Sequence, residues 1–232
     1  MSTSNLYLDG EYLAKNPQWH AEESPFKAKQ VLRMLRENHL TPTSICDVGC
    51  GAGEVLIQLQ KNLGCDCIFR GYDISPQAFA LAQCRTNGKL HFKLGDVLSE
   101  RDAFFDLVLA LDVIEHLEDY WSFLRQLRTK GRYKIFHIPL DLSVQTVFRP
   151  NALLKRRSLY AHLHYFTKET ALRTLQDAGY EVLRFFYTPR SIEVGPGFGE
   201  RLLNLPRRLC FAFSPDSAAR WMGGFSLLVL AR

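Results

Sequence analysis

Between residues 44 and 138, short apolar runs alternate with stretches of helical periodicity, and few folds accommodate this alternation. The apolar run at 105–111 is typical of a central parallel strand that is buried on both faces. Strands that alternate with helices predict a doubly wound α/β sheet. We expect seven strands, at residues 44–48, 67–72, 90–94, 105–111, 133–138, 180–187 and 225–231.

Helical periodicity predicts the layers that cover this sheet. An amphipathic helix is expected from Ser24, as its N-cap, to Asn38, and others at 54–63, after 75, at 120–128 and after Thr167. Residues 139–166 and about 35 residues before the last strand show no regular pattern. We expect one domain over residues 1–232, with an N-terminal helical cap at 1–40, a core at 41–140 and a further region at 141–232.

Composition and charge limit the function classes. Of the 232 residues, 47% are hydrophobic and 23% charged, which excludes a largely disordered chain. No apolar run reaches the ~20 residues of a membrane span, and residues 1–19 lack the pattern of a signal peptide, so we expect a cytoplasmic protein. Residues 141–232 hold 13 Lys and Arg against 7 Asp and Glu, an excess that suits an anionic partner but is too small to predict nucleic-acid binding.

The most informative motif is the glycine-rich turn after the first predicted strand. Gly49, Gly51 and Gly53 alternate with other residues between a strand and a helix, so that a ligand can approach the backbone closely. The N-terminus of the following helix adds free N–H groups that suit an anionic group. A glycine-rich turn alone is weak evidence for any particular ligand.

Three acidic residues strengthen the interpretation of this turn. Asp47, Asp73 and Asp96 lie at the ends of the first three predicted strands. The carboxyl ends of parallel strands meet at one edge of a sheet, where open α/β sheets bind ligands. Each acid alone could be an ordinary turn residue, but three in register with the glycine turn predict a binding site. A carboxylate at position 73 can accept the hydroxyls of a ribose, and one at position 96 an exocyclic adenine amine.

The spacing of the glycines separates two nucleoside ligands. The dinucleotide fingerprint is G-x-G-x-x-G, whereas this chain has G-x-G-x-G preceded by Asp47. That pattern resembles the class I S-adenosylmethionine-dependent methyltransferases. The segments 111–117 and 162–167 are similar to those of the ubiquinone-biosynthesis-like small-molecule branch, and the resemblance covers about residues 25–187.

The resemblance implies a Rossmann-like seven-stranded sheet with an antiparallel last strand and S-adenosyl-L-methionine as cofactor. It assigns Asp47 to the turn and the ammonium end of the donor, Asp73 to the ribose, and Ile74 to the face of the adenine. The full set of implied cofactor-binding residues is Asp47, Gly49, Cys50, Gly51, Gly53, Asp73, Ile74, Asp96, Val97 and Leu111. Independently of the resemblance, these acids suit a positively charged ligand and would repel a pyrophosphate.

Histidines and acids after the fourth strand are the catalytic candidates. We predict His116, Asp112 and His162 as catalytic, with His116 as a general base because a neutral imidazole can accept a proton near pH 7. His116 could equally cap its loop. His162 and His164 could face the cleft or be structural, and His137 is better interpreted as a hydrogen-bonded core residue.

No metal site is predicted from the sequence. Glu115, His116 and Glu118 do not form a known ligand spacing, and the six cysteines have no zinc-type spacing. No Asn/Asp-Pro-Pro-Tyr/Phe or Pro-Cys sequence follows the fourth strand, which argues against the amino-methylating and cytosine-methylating branches. The histidine and carboxylates that stand there suit an oxygen acceptor better than nitrogen or carbon.

The expected function is therefore methyl transfer to a small or lipid-linked molecule, possibly anionic. Residues 148–160 and 201–213 interleave cations with apolar side chains, and could form solvated helix faces, a lid or a peripheral membrane contact. The segment with Tyr12, Trp19, His20 and Lys27 could cap the donor or pack on the sheet. Alternatives are a nucleic-acid or protein acceptor, a non-catalytic donor-binding module, and a nicotinamide-dependent oxidoreductase, which the glycine spacing disfavours.

Overall fold

Seven strands form one sheet in a computed structural model, which describes residues 21–64, 66–193 and 205–232. The strands are β1 (Ser44–Val48), β2 (Ile68–Asp73), β3 (Leu90–Leu94), β4 (Phe105–Leu111), β5 (Gly131–Pro139), β6 (Val182–Thr188) and β7 (Ser226–Ala231). Their spatial order is β3-β2-β1-β4-β5-β7-β6.

The first five strands are parallel, and β7 runs antiparallel to both of its neighbours, β5 and β6. The predicted doubly wound sheet with an antiparallel last strand is confirmed. Because the first five strands are parallel, their carboxyl ends lie at one edge of the sheet. The loops that follow β1, β2, β4 and β5 therefore meet there.

One helix precedes the first strand, and the other helices lie between strands along the chain. They are α1 (Ser24–Glu37), α2 (Glu54–Asn62), α3 (Pro76–Gln83), α4 (Tyr120–Leu127), α5 (Val144–Phe148), α6 (Ala152–Tyr160), α7 (Lys168–Asp177), α8 (Arg190–Glu193), α9 (Leu205–Phe213) and α10 (Pro215–Met222). The predicted N-cap of α1 is wrong by one residue. Ser24 is itself helical, and Glu23 takes the cap position without a side-chain hydrogen bond.

Two hydrophobic clusters fill the two faces of the sheet. In β4, Leu107 and Leu109 belong to one cluster and Val108 belongs to the other, so both faces of this strand are buried, as its apolar run predicts. Val31 of α1 packs on the first face, whereas Leu175 of α7 packs on the second. The N-terminal helix is therefore part of the core layer. Residues 1–20 of the predicted cap lie outside the described residues.

The two segments without a regular sequence pattern contain five helices in the described residues. Helices α6 and α9 lie where solvated helix faces were one interpretation, whereas α5, α8 and α10 were not predicted. Helices α5 and α6 lie within 139–166, and α8, α9 and α10 precede the last strand. Residues 194–204, including the start of the basic segment at 201, lie outside the described residues. No helix in the described ranges is both long enough and apolar enough to span a bilayer.

Candidate active site

The glycine turn folds back across the end of β2. Gly49, Gly51 and Gly53 have φ angles of +71°, +55° and +79°, a backbone region that favours glycine. The N–H groups of Gly49 and Cys50 both donate to the Tyr72 carbonyl oxygen, at 2.8 and 3.1 Å. The turn is thereby fixed with its open side toward the carboxyl edge of the sheet.

Asp73 binds this turn through its side chain. One carboxylate oxygen accepts the Gly51 N–H and the other accepts the Ser75 N–H, both at 2.8 Å. Burial raises the pKa of Asp73, and these backbone N–H groups oppose that rise. A carboxylate oxygen has more than one lone pair, so each oxygen can also accept a ligand hydroxyl.

A single cavity of about 820 Å³ joins most of the predicted site residues. This volume suits a ligand of nucleoside size together with a second small molecule. Eleven of the thirteen predicted residues line it: Asp47, Gly49, Cys50, Gly51, Asp73, Ile74, Asp96, Leu111, Asp112, His116 and His162. The other two, Gly53 and Val97, do not. Gly53 faces the Phe92 ring, and Val97 is fully buried in the hydrophobic core.

Asp47 is an acidic group deep in this cavity wall. It is 3% exposed, and burial raises its pKa to about 7, with Lys27 lowering the pKa and Asp73 raising it. The pKa rises because a buried carboxylate loses its hydration. A positively charged ligand group beside Asp47 would favour the ionised form. The electrostatics of this part of the cavity therefore suit a cation.

Ile74 and Asp96 lie at the rim of the cavity. The Ile74 side chain is 46% exposed, which is unusual for a large apolar residue and leaves it available for ligand contact. Asp96 is exposed and accepts the Leu98 N–H at 2.8 Å. Both positions fit a flat apolar ligand group with a polar edge.

Asp112 stands at the centre of a partly buried ionic network. Its carboxylate pairs with the Lys27 ammonium at 2.6 Å and with Nδ1 of His137 at 2.5 Å. Nε2 of His137 lies 2.8 Å from the Thr188 hydroxyl, so His137 is hydrogen-bonded on both ring nitrogens as predicted. Burial raises the pKa of Asp112, but the charges of His137 and Lys27 outweigh burial and hold the pKa far below its usual range.

Glu115, His116 and His162 form a second polar cluster in the same cavity. One potential ligand atom of each residue lies within 4.8 Å of the others. Nδ1 of His116 lies 3.3 Å from the Ala161 carbonyl oxygen, and Nδ1 of His162 lies 2.6 Å from the Asp141 carboxylate. Burial, reinforced by His162, lowers the pKa of His116 to about 4, so this imidazole is neutral at pH 7.

Backbone hydrogen bonds bring together two segments that lie about 45 residues apart in the sequence. The Glu115 carbonyl oxygen accepts the N–H groups of Leu163 and His164, at 2.7 and 3.2 Å. The ring of His164 donates from Nε2 to the Leu117 carbonyl oxygen at 2.8 Å. His164 is therefore the structural histidine of this segment, whereas His162 lines the cavity.

Among the cavity-lining residues that were not predicted as site residues, Lys27, Asp141 and Arg156 carry charge. Lys27 was considered only as part of a possible N-terminal cap, and its position depends on how α1 packs, for which the sequence gives no signal. Asp141 binds His162 and Arg156, the latter at 3.0 Å. Asp141 follows β5 at the same edge of the sheet as the other acids. That position after a parallel strand is a signal that could have identified it.

A family model described as a methyltransferase domain matches residues 19–184. Norajmaline N-methyltransferase from Rauvolfia serpentina is 34% identical over 93 residues, which cover 37% of this chain and 31% of that protein. Ubiquinone biosynthesis O-methyltransferase from Azorhizobium caulinodans is 33% identical over 87 residues, covering 35% of this chain and 33% of that protein. The chain thus spans about a third of the length of these relatives.

A solved structure with the same fold is that of N-methyltransferase NodS from Bradyrhizobium japonicum WM9, in complex with S-adenosyl-l-homocysteine. It matches with a TM-score of 0.63 at 18% identity, over 100% of this chain and 98% of that one. The family model covers well over half of this chain. The chain therefore belongs to the methyltransferase-domain family, and its predicted relationship to the class I S-adenosylmethionine-dependent methyltransferases is confirmed.

Proposed function

We propose that this chain is an S-adenosylmethionine-dependent methyltransferase that methylates an oxygen of a small or lipid-linked molecule. The observation that carries the proposal is the shared cavity. The glycine turn, Asp47 and Asp73 line one part of this cavity, which we call the donor side. Glu115, His116 and other polar groups line the part that we call the acceptor side. A donor and an acceptor that bind these two sides would be held close together, which accounts for much of the catalysis of a displacement reaction.

The donor side fits S-adenosylmethionine by its chemistry. When bound, this cofactor supplies an activated methyl group on a positively charged sulfur. Asp47 would face the positively charged amino acid portion, and the Asp73 carboxylate would accept ribose hydroxyls beside the Gly51 N–H that it already binds. The exposed Ile74 side chain would contact the adenine. These acids would disfavour a pyrophosphate, which argues against a nicotinamide cofactor.

On the acceptor side we assign His116 and His162 to contact with the acceptor. His116 is neutral at pH 7 and its Nδ1 faces a carbonyl oxygen that can only accept. Nδ1 therefore carries the proton, and Nε2 carries the lone pair that can receive a hydroxyl proton. Asp112 is engaged with Lys27 and His137. We therefore assign Asp112 as a positioning residue rather than as a proton acceptor.

The acceptor class is supported by surface chemistry. Helix α6 contributes Arg156, Leu159 and Tyr160 to the cavity, and none of its residues is buried. Leu154 on α6 and Leu209 on α9 are 60% and 53% exposed. Apolar side chains beside arginines suit an acceptor with an anionic group or a lipid tail. The names of the two relatives specify one nitrogen and one oxygen reaction, so the preference for oxygen rests on the polar cluster. A cytoplasmic location stays a prediction.

Calorimetric titration with S-adenosylmethionine, S-adenosylhomocysteine and NAD tests the donor site first. We expect binding of the first two and none of NAD. Asp73→Ala should weaken S-adenosylhomocysteine binding by at least about tenfold, since it removes a charge-assisted acceptor. Asp102→Ala, at an exposed position outside the cavity lining, is the matched control. A folded wild-type chain that binds neither adenosyl ligand would contradict the proposal.

Methyl transfer from labelled donor then separates the acceptor classes. Phenols, amines, a nucleic acid and a protein are offered in parallel, with each phenol present with and without a lipid tail. Methylation of phenols in preference to amines supports an oxygen acceptor. Labelling of nucleic acid or protein, or binding of the donor without any transfer across a broad panel, would favour the corresponding alternative.

A further inference from the structure

The side chain of Glu115 is buried and has no hydrogen-bond partner within the part of the chain that the structure describes. Its exposed fraction is 0%, and neither carboxyl oxygen has a partner among the described residues. Leaving a buried polar group unsatisfied is costly, and native structures contain few such groups without an explanation such as a bound water or ion. The backbone bonds from Leu163 and His164 to the Glu115 carbonyl hold this residue in place. The position of this carboxyl group is therefore fixed by the backbone around it.

Two imidazoles face the same point as this carboxyl group. Nε2 of His116 lies 3.8 Å from Oε1 of Glu115, and the ring centroids of His116 and His162 are 5.0 Å apart in an edge-to-face arrangement. One ligating atom from each of the three residues lies within 4.8 Å of the other two. Donor atoms bound at ~2.1 Å to one ion lie about 3 to 3.5 Å apart. Shortening these separations by at most about 1.3 to 1.8 Å would therefore complete a site.

Each of the two imidazoles is oriented by a hydrogen bond from its Nδ1, as is usual for metal-ligating histidines. His162 donates from Nδ1 to the Asp141 carboxylate, and Arg156 holds the other oxygen of Asp141 at 3.0 Å. Nδ1 of His116 donates to the Ala161 carbonyl oxygen. Each ring then has its lone pair on Nε2. A carboxylate or carbonyl on one ring nitrogen, with the other nitrogen directed inward, is the usual arrangement around metal-ligating histidines.

We propose that Glu115, His116 and His162 bind a divalent first-row transition-metal ion. Two imidazoles and one carboxylate suit zinc, iron, cobalt or manganese, whereas magnesium and calcium prefer oxygen ligands. Three protein ligands leave coordination positions open toward the cavity. The binding of the ion does not depend on the proposed function, but its role does. With metal bound, the Nε2 lone pair of His116 is occupied and cannot accept a proton, so the ion would replace this imidazole as the group that favours the deprotonated form of an acceptor hydroxyl.

The site could not be predicted from the sequence, because its third ligand, His162, is far from the other two along the chain. Glu118, the nearby candidate, is not part of the cluster. His162 lies 46 positions after His116, and only the backbone pairing between the two segments brings the residues together. Standard metal-site spacings between neighbouring ligands give no indication of such an arrangement.

Cobalt titration of the tag-free, chelator-treated chain tests the site without any methyl acceptor. We expect one equivalent of Co²⁺ to bind with visible absorption bands, displacement by Zn²⁺, and no competition from Mg²⁺ at the same concentration. Glu115→Gln and His162→Gln should each weaken Co²⁺ binding by more than about tenfold, and the positioning variant Asp141→Asn by about 10- to 100-fold. His91→Gln, on β3 and away from the cavity lining, is the matched histidine control and should bind Co²⁺ like wild type.

The melting temperature and the binding of S-adenosylhomocysteine are also measured for the wild type and for each variant. Glu115→Gln removes a buried, unsatisfied carboxylate, so its melting temperature without metal should equal or exceed that of wild type, and metal should no longer raise it. Absence of stoichiometric Co²⁺ or Zn²⁺ binding by wild type, or equal binding by wild type and Glu115→Gln, would overturn the proposal. S-Adenosylhomocysteine binding is measured separately. Failure of the donor site therefore does not count against the metal site, and metal binding does not count in favour of the donor site.

Discussion

Gly53 ends the turn after β1 with a φ of +79°, and its α-carbon faces the ring of Phe92. A Cβ at this position would lie 2.4 Å from two ring atoms. Gly53→Ala therefore combines left-handed backbone strain with overpacking, and we expect a loss of roughly 2 to 4 kcal/mol in the free energy of unfolding. Urea denaturation measures the change.

A second glycine serves as the control for this prediction. Gly88 has no positive φ, and a Cβ there would meet no atom within 4 Å. Gly88→Ala should change the free energy of unfolding by less than about 1 kcal/mol. Equal effects of the two substitutions would show that the contact with Phe92 does not restrict position 53.

Asp47 makes donor binding dependent on pH. Its pKa of about 7 means that the carboxyl is mostly protonated at pH 6 and mostly ionised at pH 8. A ligand ammonium binds the ionised form, so the dissociation constant of S-adenosylhomocysteine should fall by up to about tenfold from pH 6 to pH 8. Calorimetry at several pH values measures this. Because Asp47→Asn keeps any titration of the ligand itself, identical pH profiles of the variant and wild type would contradict the assignment.

The sequence predicts the donor side of the site better than the acceptor side. Asp47 and Asp73 end consecutive strands, so the topology of a parallel sheet alone brings them to one edge. Lys27 and His162 instead reach the cavity from a helix and from a loop. Their positions depend on tertiary packing and on backbone bonds between distant segments. Neither strand order nor periodicity contains that information.

At the level of elements, sequence periodicity predicts the helices that bury an apolar face. Helix α1 buries Val31 and Leu35, and its pattern is clear. Helices α5 and α6 have no buried residues, so no apolar stripe distinguishes them from a loop. Helix α10 before β7 does bury Ala218 and Ala219 and was missed despite that signal, whereas the expected irregular segment at 139–166 is wrong for a physical reason. Hydrophobic periodicity reports burial, and a helix on the surface of the molecule need not have it.

Helix α7 begins with a cap that the sequence predicts. The Thr167 hydroxyl accepts the Thr170 N–H at 3.2 Å, and the Thr170 hydroxyl accepts the Thr167 N–H at 2.9 Å. Thr167→Ala leaves N–H groups at the helix start without this acceptor, so we expect a loss of about 1 kcal/mol in the free energy of unfolding. The matched substitution is Thr86→Ala, at an exposed position outside the helices, which should cost less than about 0.5 kcal/mol in urea denaturation. Equal costs would argue against the cap.

Across the whole molecule, one hydrogen-bonded network joins distant parts of the chain. Lys27 on α1 pairs with Asp112 after β4, Asp112 pairs with His137 on β5, and His137 contacts Thr188 on β6. These elements lie far apart in the sequence, and Lys27, Asp112 and His137 all line the cavity. The φ of Asp112 is +59°, and such strain is typical of functional sites that the surrounding structure holds in place. The network therefore connects the stability of the fold to the shape of the site.

Asp112→Asn tests how strongly this network holds the molecule together. Asparagine tolerates the left-handed backbone, but the substitution leaves the Lys27 ammonium without its charge partner. We therefore expect a loss of about 3 kcal/mol in the free energy of unfolding at pH 7.

The pKa of Asp112 is held below its ordinary value of 3.8, so its contribution is present above about pH 4 and is lost as the pH falls further. Urea denaturation from pH 7 downward should show the gap to wild type narrowing near pH 4. Asp102→Asn, at an exposed position, should show no gap at any pH. A constant gap for Asp112→Asn would mean that the effect is steric rather than electrostatic.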